Sequence, residues 1–152
     1  MEYIFEKDKV IRTNTYNNAT NELINYTLRD YLSGKIISKT FNKLDVLIQK
    51  NEYFINPNGK NYDKMISYLG TTVSYTTNIL RTDGKKNPFG LLPQGYAVFS
   101  NTNNAIDVDF IFPNTAFNQQ QRYTLEYNEM GYPTKEINQA GATVRVFEYL
   151  IE

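Results

Sequence analysis

Asp107 and Asp109 stand two residues apart in the run Ile106-Asp-Val-Asp-Phe-Ile-Phe112. On an extended chain that spacing puts both carboxylates on one face, about 7 Å apart. Two acids so placed could hold a cation or flank a glycosidic bond. The competing reading is the solvated face of a half-exposed strand. Calcium would need further oxygens from a rigid loop, and no EF-hand-like spacing is present. Glu126, Glu129, Glu136 and Glu148 form a second acidic set. A glycosidase needs two carboxylates at a fixed separation, one with its pKa raised by burial. Lys135 and Arg145 lie among these acids and point instead to cross-strand ion pairs. The third constellation is Asp83-Gly-Lys-Lys-Asn-Pro-Phe89. Its Lys85 and Lys86 suit a phosphate or an acidic glycan, with Phe89 as an apolar anchor. Structurally, Asp83-Gly84 reads as a turn, Pro88 fixes the chain and Phe89 plugs the edge of the core. Tyr96 joins this ligand-binding set, because exposed tyrosines stack on sugar rings or bases. Most of the 13 Tyr are expected to be sheet side chains with a buried ring and a wet hydroxyl.

Much chemistry is excluded outright. The 152 residues contain no Cys and no His, which removes disulfides, thiol nucleophiles, zinc fingers and imidazole bases. Lys plus Arg and Asp plus Glu both number 16. Zero net charge argues against nucleic acid, and no glycine-rich phosphate loop is present. No cofactor is expected.

The elements that must position these residues are strands. Mean hydropathy is −0.53, yet 14% of residues are aromatic, and Asn makes up about one residue in eight. Tyr and Thr favour a pleated surface, and Asn favours turns. Period-two alternation appears at Ile24 to Leu28, Val73 to Ile79, Ile106 to Phe112 and Tyr123 to Tyr127. Lys35 to Phe41 and Leu44 to Ile48 read as further strands, and Asn61 to Leu69 as a strand in preference to a two-turn helix. Thr143 to Ile151 is apolar on both faces in places, which suggests cover on both sides. Turns are expected at Asn17-Asn18, Ser33-Gly34, Asn58-Gly59, Asp83-Gly84, Asn103-Asn104, Met130-Gly131 and Ala140-Gly141. Tyr3-Ile-Phe5 leads into a Lys/Asp turn and returns at Val10-Ile11. Arg81 to Gln94, which holds Pro88 and Pro93, reads as an ordered loop over the sheet.

Aromatic strand, tight turn and return strand recur along the chain. In Tyr123-x-Tyr-Asn-x-x-Gly131, with Phe147-x-Tyr149 downstream, the pattern resembles the YD/RHS type of repeat. Together with Asp83 to Phe89, Asn103-Asn104 and Glu126 to Thr134, it resembles a group of uncharacterised secreted lipoproteins of Bacteroidota. The resemblance implies export, a β-rich repeat-like fold and no established enzymatic activity. Two departures stand out: the Tyr-Asp pair of the repeat is Tyr127-Asn128 here, and a lipid-bearing Cys is absent, so it is expected upstream.

The combined expectation is one all-β domain over residues 1–152, the mature part of a longer exported precursor. It should be an antiparallel meander of eight to ten strands, a twisted open sheet or a partly closed barrel, with little helix and with charged edges at Glu6 to Lys9 and Glu152. The leading functional reading is a non-enzymatic exported scaffold or binding domain for a glycan or protein. It would be periplasmic, outer-membrane-associated or secreted, touching a membrane only through the upstream lipid anchor. A carboxylate-dependent hydrolase and a cytosolic partner-binding protein of immunity-factor type are the alternatives.

Overall fold

The computed structural model describes residues 1–59, 61–91, 101–113 and 115–149. Eleven antiparallel strands follow one another in a single meander, and the sheet does not close into a barrel. They are β1 (Glu2–Glu6), β2 (Lys9–Tyr16), β3 (Leu23–Leu32), β4 (Lys35–Asn42), β5 (Leu47–Ile55) and β6 (Tyr62–Leu69). After these come β7 (Thr72–Lys86), β8 (Asn103–Ile111), β9 (Gln119–Tyr127), β10 (Pro133–Asn138) and β11 (Thr143–Val146). The helical content among the described residues is one 3-10 turn, Pro88–Leu91.

Direct cross-strand partners share a face, so the register defines an inner face running through Tyr31, Ile36, Tyr53, Met65, Thr77 and Phe110. On this face Ser67 is 1% and Ile36 5% exposed. Burial of this kind needs cover over the inner face, which a twisted and coiled sheet helps to supply. The outer face carries Lys35, Lys39, Lys50 and Glu52, which form the pairs Lys35–Glu52, Lys39–Asp30 and Lys50–Glu52 at 3.0 to 3.3 Å. Aromatic pairs bridge neighbouring strands, as expected: Tyr26 stacks on its partner Phe41 at 5.3 Å, and Tyr53 meets Tyr62 edge-on at 5.3 Å.

The abundance of Asn has a physical reason. Asn42, Asn128 and Asn138 each close a five-residue hairpin turn of one design. At Asn128, the side-chain oxygen accepts from the Met130 and Tyr132 amides at 3.1 and 3.0 Å. The backbone closes with Asn128 N–H to Tyr132 O and Gly131 N–H to Asn128 O, at 2.9 and 3.0 Å. The fourth position needs a left-handed backbone, supplied by Gly131 (φ 80°), Gly141 (φ 79°) and, at some cost, Asp45 (φ 60°). This module explains the Tyr-x-Tyr-Asn-x-x-Gly spacing. An Asp at this position would offer the same acceptor. Asn128→Ala should cost about 1 to 2 kcal/mol in urea unfolding, for two lost bonds, while Asn128→Asp stays close to wild type.

Several elements differ from the sequence reading. The strands among the described residues number eleven, against the roughly eight to ten expected. Leu44 to Val46 belong to the Asn42 turn, so β5 begins only at Leu47. Asn103-Asn104 opens β8 and is not a turn. Arg81 to Lys86 is not a loop but the continuation of β7. Asp83-Gly84 is accordingly no hairpin turn: Thr82 pairs Ala105 and Lys86 pairs Asn103, so three residues bulge opposite Asn104. Residues 143–146 are exposed throughout, and among the described residues β11 has no further strand beside it; residues 150–151 of that reading lie outside the described residues. The Lys7-Asp8 turn stands as expected, with φ of 48° and 63°. Glu152 lies outside the described residues.

Candidate functional site

The bulge in β7 organises the site. Gly84 takes φ 71°, which turns the Asp83 carboxylate back onto β8. There it accepts from the Lys85 amide (2.8 Å), the Asn104 amide (3.2 Å), Asn104 Nδ2 (2.9 Å) and the Tyr127 hydroxyl on β9. Burial, then this bond to Asp83 and its charge, raise the Tyr127 pKa well above the ordinary phenol range. An asparagine cluster extends the tie. Asn61 Nδ2 donates to Asn103 Oδ1 at 3.0 Å, the Tyr62 amide to Asn101 Oδ1 at 2.8 Å, and Asn87 Nδ2 to Asn101 O at 2.8 Å. Asn61, Asn101 and Asn104 are buried despite their polarity, because their amides satisfy one another and the backbone.

This cluster aims the 3-10 turn, and with it Phe89, at the far end of the sheet. The chain after β11 continues along β10 through Phe147 N–H to Thr134 O (3.0 Å) and Tyr149 OH to Pro133 O (2.6 Å). Phe89 and Phe147 thereby meet at 6.2 Å, and the Arg145 guanidinium lies 5.8 and 5.7 Å from their ring centres. Beneath them the inner face opens into a cleft of ≈ 340 Å³, floored by Thr77, Val108 and Phe110 and walled by Gln121 and Tyr123. Ligand sites of small molecules begin at about this size. Polar groups converge on it. Arg145 pairs Glu136 at 3.6 Å, and the Tyr123 hydroxyl donates to Gln121 Oε1. Thr77 is 6% exposed, and its hydroxyl has no hydrogen-bond partner among the described residues. Burial, then the Glu136 carboxylate, push the Tyr123 pKa up.

The residues singled out from the sequence divide accordingly. Phe89 stands at the cleft. Lys85 and Lys86 lie instead over the rings of Tyr127 (3.8 Å) and Tyr132 (5.0 Å), as clamps between the β7 bulge and the β9–β10 hairpin. Asp107 and Asp109 share a strand face, but it is the one turned away from the cleft. Asp107 pairs Arg122 at 3.3 Å, and Asp109 stands opposite Asn78 and Gln120. Glu126 pairs Lys135 at 3.6 Å, a cross-strand pair of the kind expected. Tyr96 lies outside the described residues. No three acidic side chains among the described residues are grouped to hold a metal ion. The sequence reading missed Gln121, Tyr123 and the pair Glu136–Arg145 as a convergent set. The signal was the inward parity of Gln121, Tyr123 and Leu125, which the register carries onto Glu136 and Arg145.

No family model and no curated relative matches the sequence. Among solved structures, a porin-like protein from Bacteroides vulgatus ATCC 8482 resembles the chain with a TM-score of 0.57 at 11% identity. The match covers 93% of this chain and 74% of that one. At this identity the likeness speaks for the fold alone. The outer face here is crossed by mid-strand Lys, Glu and Asp pairs, unlike the apolar band of a lipid-facing barrel wall. The chain is thus an open β-meander whose fold is shared with a Bacteroides porin-like protein.

Proposed function

We propose that the chain is an exported, non-enzymatic binding domain whose inner-face cleft takes a sugar unit of a glycan. The observation that carries this reading is the cleft itself: two aromatic rims, Phe89 and Phe147, over a floor where Gln121, Thr77, Glu136 and Arg145 present donors and acceptors. Apolar sugar faces stack on aromatic rings, and ring hydroxyls need such polar partners. The carboxylates with the best spacing for hydrolysis, Asp107 and Asp109, point away from the cleft, which favours binding over turnover. The fold likeness to a Bacteroides protein supports a periplasmic or outer-membrane setting. It also fits an upstream lipid anchor, as in the lipoproteins that the sequence resembles.

A glycan array followed by titration calorimetry tests the proposal. A binding glycan should be found, and Phe147→Ala should weaken it about tenfold or more while the circular dichroism stays that of a β-sheet. Turnover of the bound glycan, or affinity unchanged in both Phe147→Ala and Phe89→Ala, would overturn it.

A further inference from the structure

A second polar feature occupies the inner face several strands from the cleft. In β3 the inward positions are Thr27, Arg29 and Tyr31, so an arginine stands where the alternation would bury an apolar side chain. Arg29 is 7% exposed. The register continues it straight across three neighbours, with Arg29 opposite Ser38, Ser38 opposite Asn51, and Asn51 opposite Ser67, and no bulge interrupts the row. Ser38 is 2% and Ser67 1% exposed.

Among the described residues no carboxylate answers the charge on Arg29. One Nη donates to Thr13 Oγ1 at 2.7 Å, but Nε has no hydrogen-bond partner among the described residues, and neither has Asn51 Oδ1. Every Asp and Glu except Glu152 lies among the described residues, and none of these pairs with Arg29. Of the acids on these four strands, Asp30 and Glu52 are engaged by lysines on the outer face, and Asp63 of β6 is exposed to solvent. Burial lowers the Arg29 pKa from its ordinary value, and the neighbouring phenol oxygens of Tyr31, Tyr53 and Tyr3 oppose that shift in part. A buried cation without a counter-ion costs several kcal/mol in general, and proteins seldom retain one without use.

The geometry points to an oxyanion-binding site at Arg29, in which the guanidinium receives a carboxylate or phosphate group and Asn51 Oδ1 accepts from a neighbouring hydroxyl of the same ligand. A guanidinium fork matches the two oxygens of such a group. Ser38 and Ser67 supply further hydroxyls along the row, and Tyr31 and Tyr53, on the adjoining row with Ile36 between them, form its apolar margin. This site stands apart from the cleft and does not depend on the glycan reading.

Thermal-shift and calorimetric titrations at constant ionic strength with inorganic phosphate, glucuronate and glucose test it. Saturable binding of phosphate or glucuronate, with glucose inert, is expected; a response to phosphate alone identifies a phosphorylated ligand, and one to glucuronate alone an acidic sugar. Arg29→Lys should weaken the response about tenfold, since a point charge replaces the fork, and Arg29→Met should abolish it. Phe147→Ala should leave it intact. If Arg29→Met does not fold, amide shifts of Ser38 and Ser67 in the wild type on anion addition report the same contact. No saturable binding of either anion by the wild type, or an equal response in Arg29→Lys, would overturn the site.

Discussion

Asp83→Ala is expected to lower unfolding stability by about 3 kcal/mol, since four donors converge on that one carboxylate and each orphaned buried donor costs about 1 to 3 kcal/mol before water relieves part of it. The loss has a geometric side. Asn104 stands alone against a three-residue bulge, and without Asp83 the excess chain of β7 keeps only the bonds of Asn103 and Asn104 to the Lys85 and Lys86 carbonyls and the two lysine–tyrosine contacts. The 3-10 turn carrying Phe89 keeps its Asn87–Asn101 tie but loses a firm footing in the strand that leads into it, so Asp83→Ala should weaken glycan binding although Asp83 lines no part of the cleft. Asp83→Asn keeps the shape but sets an amide N–H₂ among donors, and should fall between the two. Asp107→Ala provides the contrast. Its pair with Arg122 lies on the outer face with the arginine half exposed, and its removal should shift stability by about 1 kcal/mol or less. Urea unfolding of the three variants checks the order. Equal effects from Asp83→Ala and Asp107→Ala would refute the role given to the bulge.

That contrast marks where the sequence was readable. Period-two alternation is a local signal, so a strand such as Ile106 to Phe112 is read directly, whereas Asn61 to Leu69, whose own spacing also fits a helical face, is read as a strand from its neighbours. Gly131 and Gly141 announced turns because few other residues adopt their backbone conformation cheaply. Asp83-Gly84 gave the same signal and misled, because a positive φ serves a bulge as well as a hairpin. Only the partner strand distinguishes the two, and pairing is not a local property. The same holds for function. Asp107 and Asp109 are conspicuous in sequence because they are adjacent. The cleft groups Gln121, Glu136 and Arg145 come from three strands and meet only through register. Arg29 was invisible for a related reason: one arginine in a mixed strand reads as surface until Ser38, Asn51 and Ser67 line up beside it.

Alkaline pH should destabilise the fold well before its arginines lose charge, and Tyr53 should be the main cause. Its ring is 8% exposed and packed edge-on against Tyr62. Burial first, then the phenol oxygens of Tyr62 and Tyr75, push its pKa up to about 12, against the opposing pull of Arg29. An unfolded tyrosine ionises near pH 10. Below that value the phenol is protonated in both states and the full stability is present. Above it the unfolded chain releases a proton that the folded chain keeps, so stability falls as the pH rises towards about 12. Two pKa units correspond to about 2 to 3 kcal/mol. Tyr62 and Tyr127 are shifted in the same direction and add to the slope. Urea melts between about pH 9 and about pH 11.5, with tyrosinate absorbance followed alongside, should therefore show absorbance arriving together with unfolding for these residues. Tyr53→Phe removes the proton concerned and should flatten the profile, even if it costs stability at neutral pH. A variant with the wild-type slope, or a folded protein in which all 13 tyrosines titrate as one smooth curve near pH 10, would mean that the inner face is wet and the sheet does not curl over it.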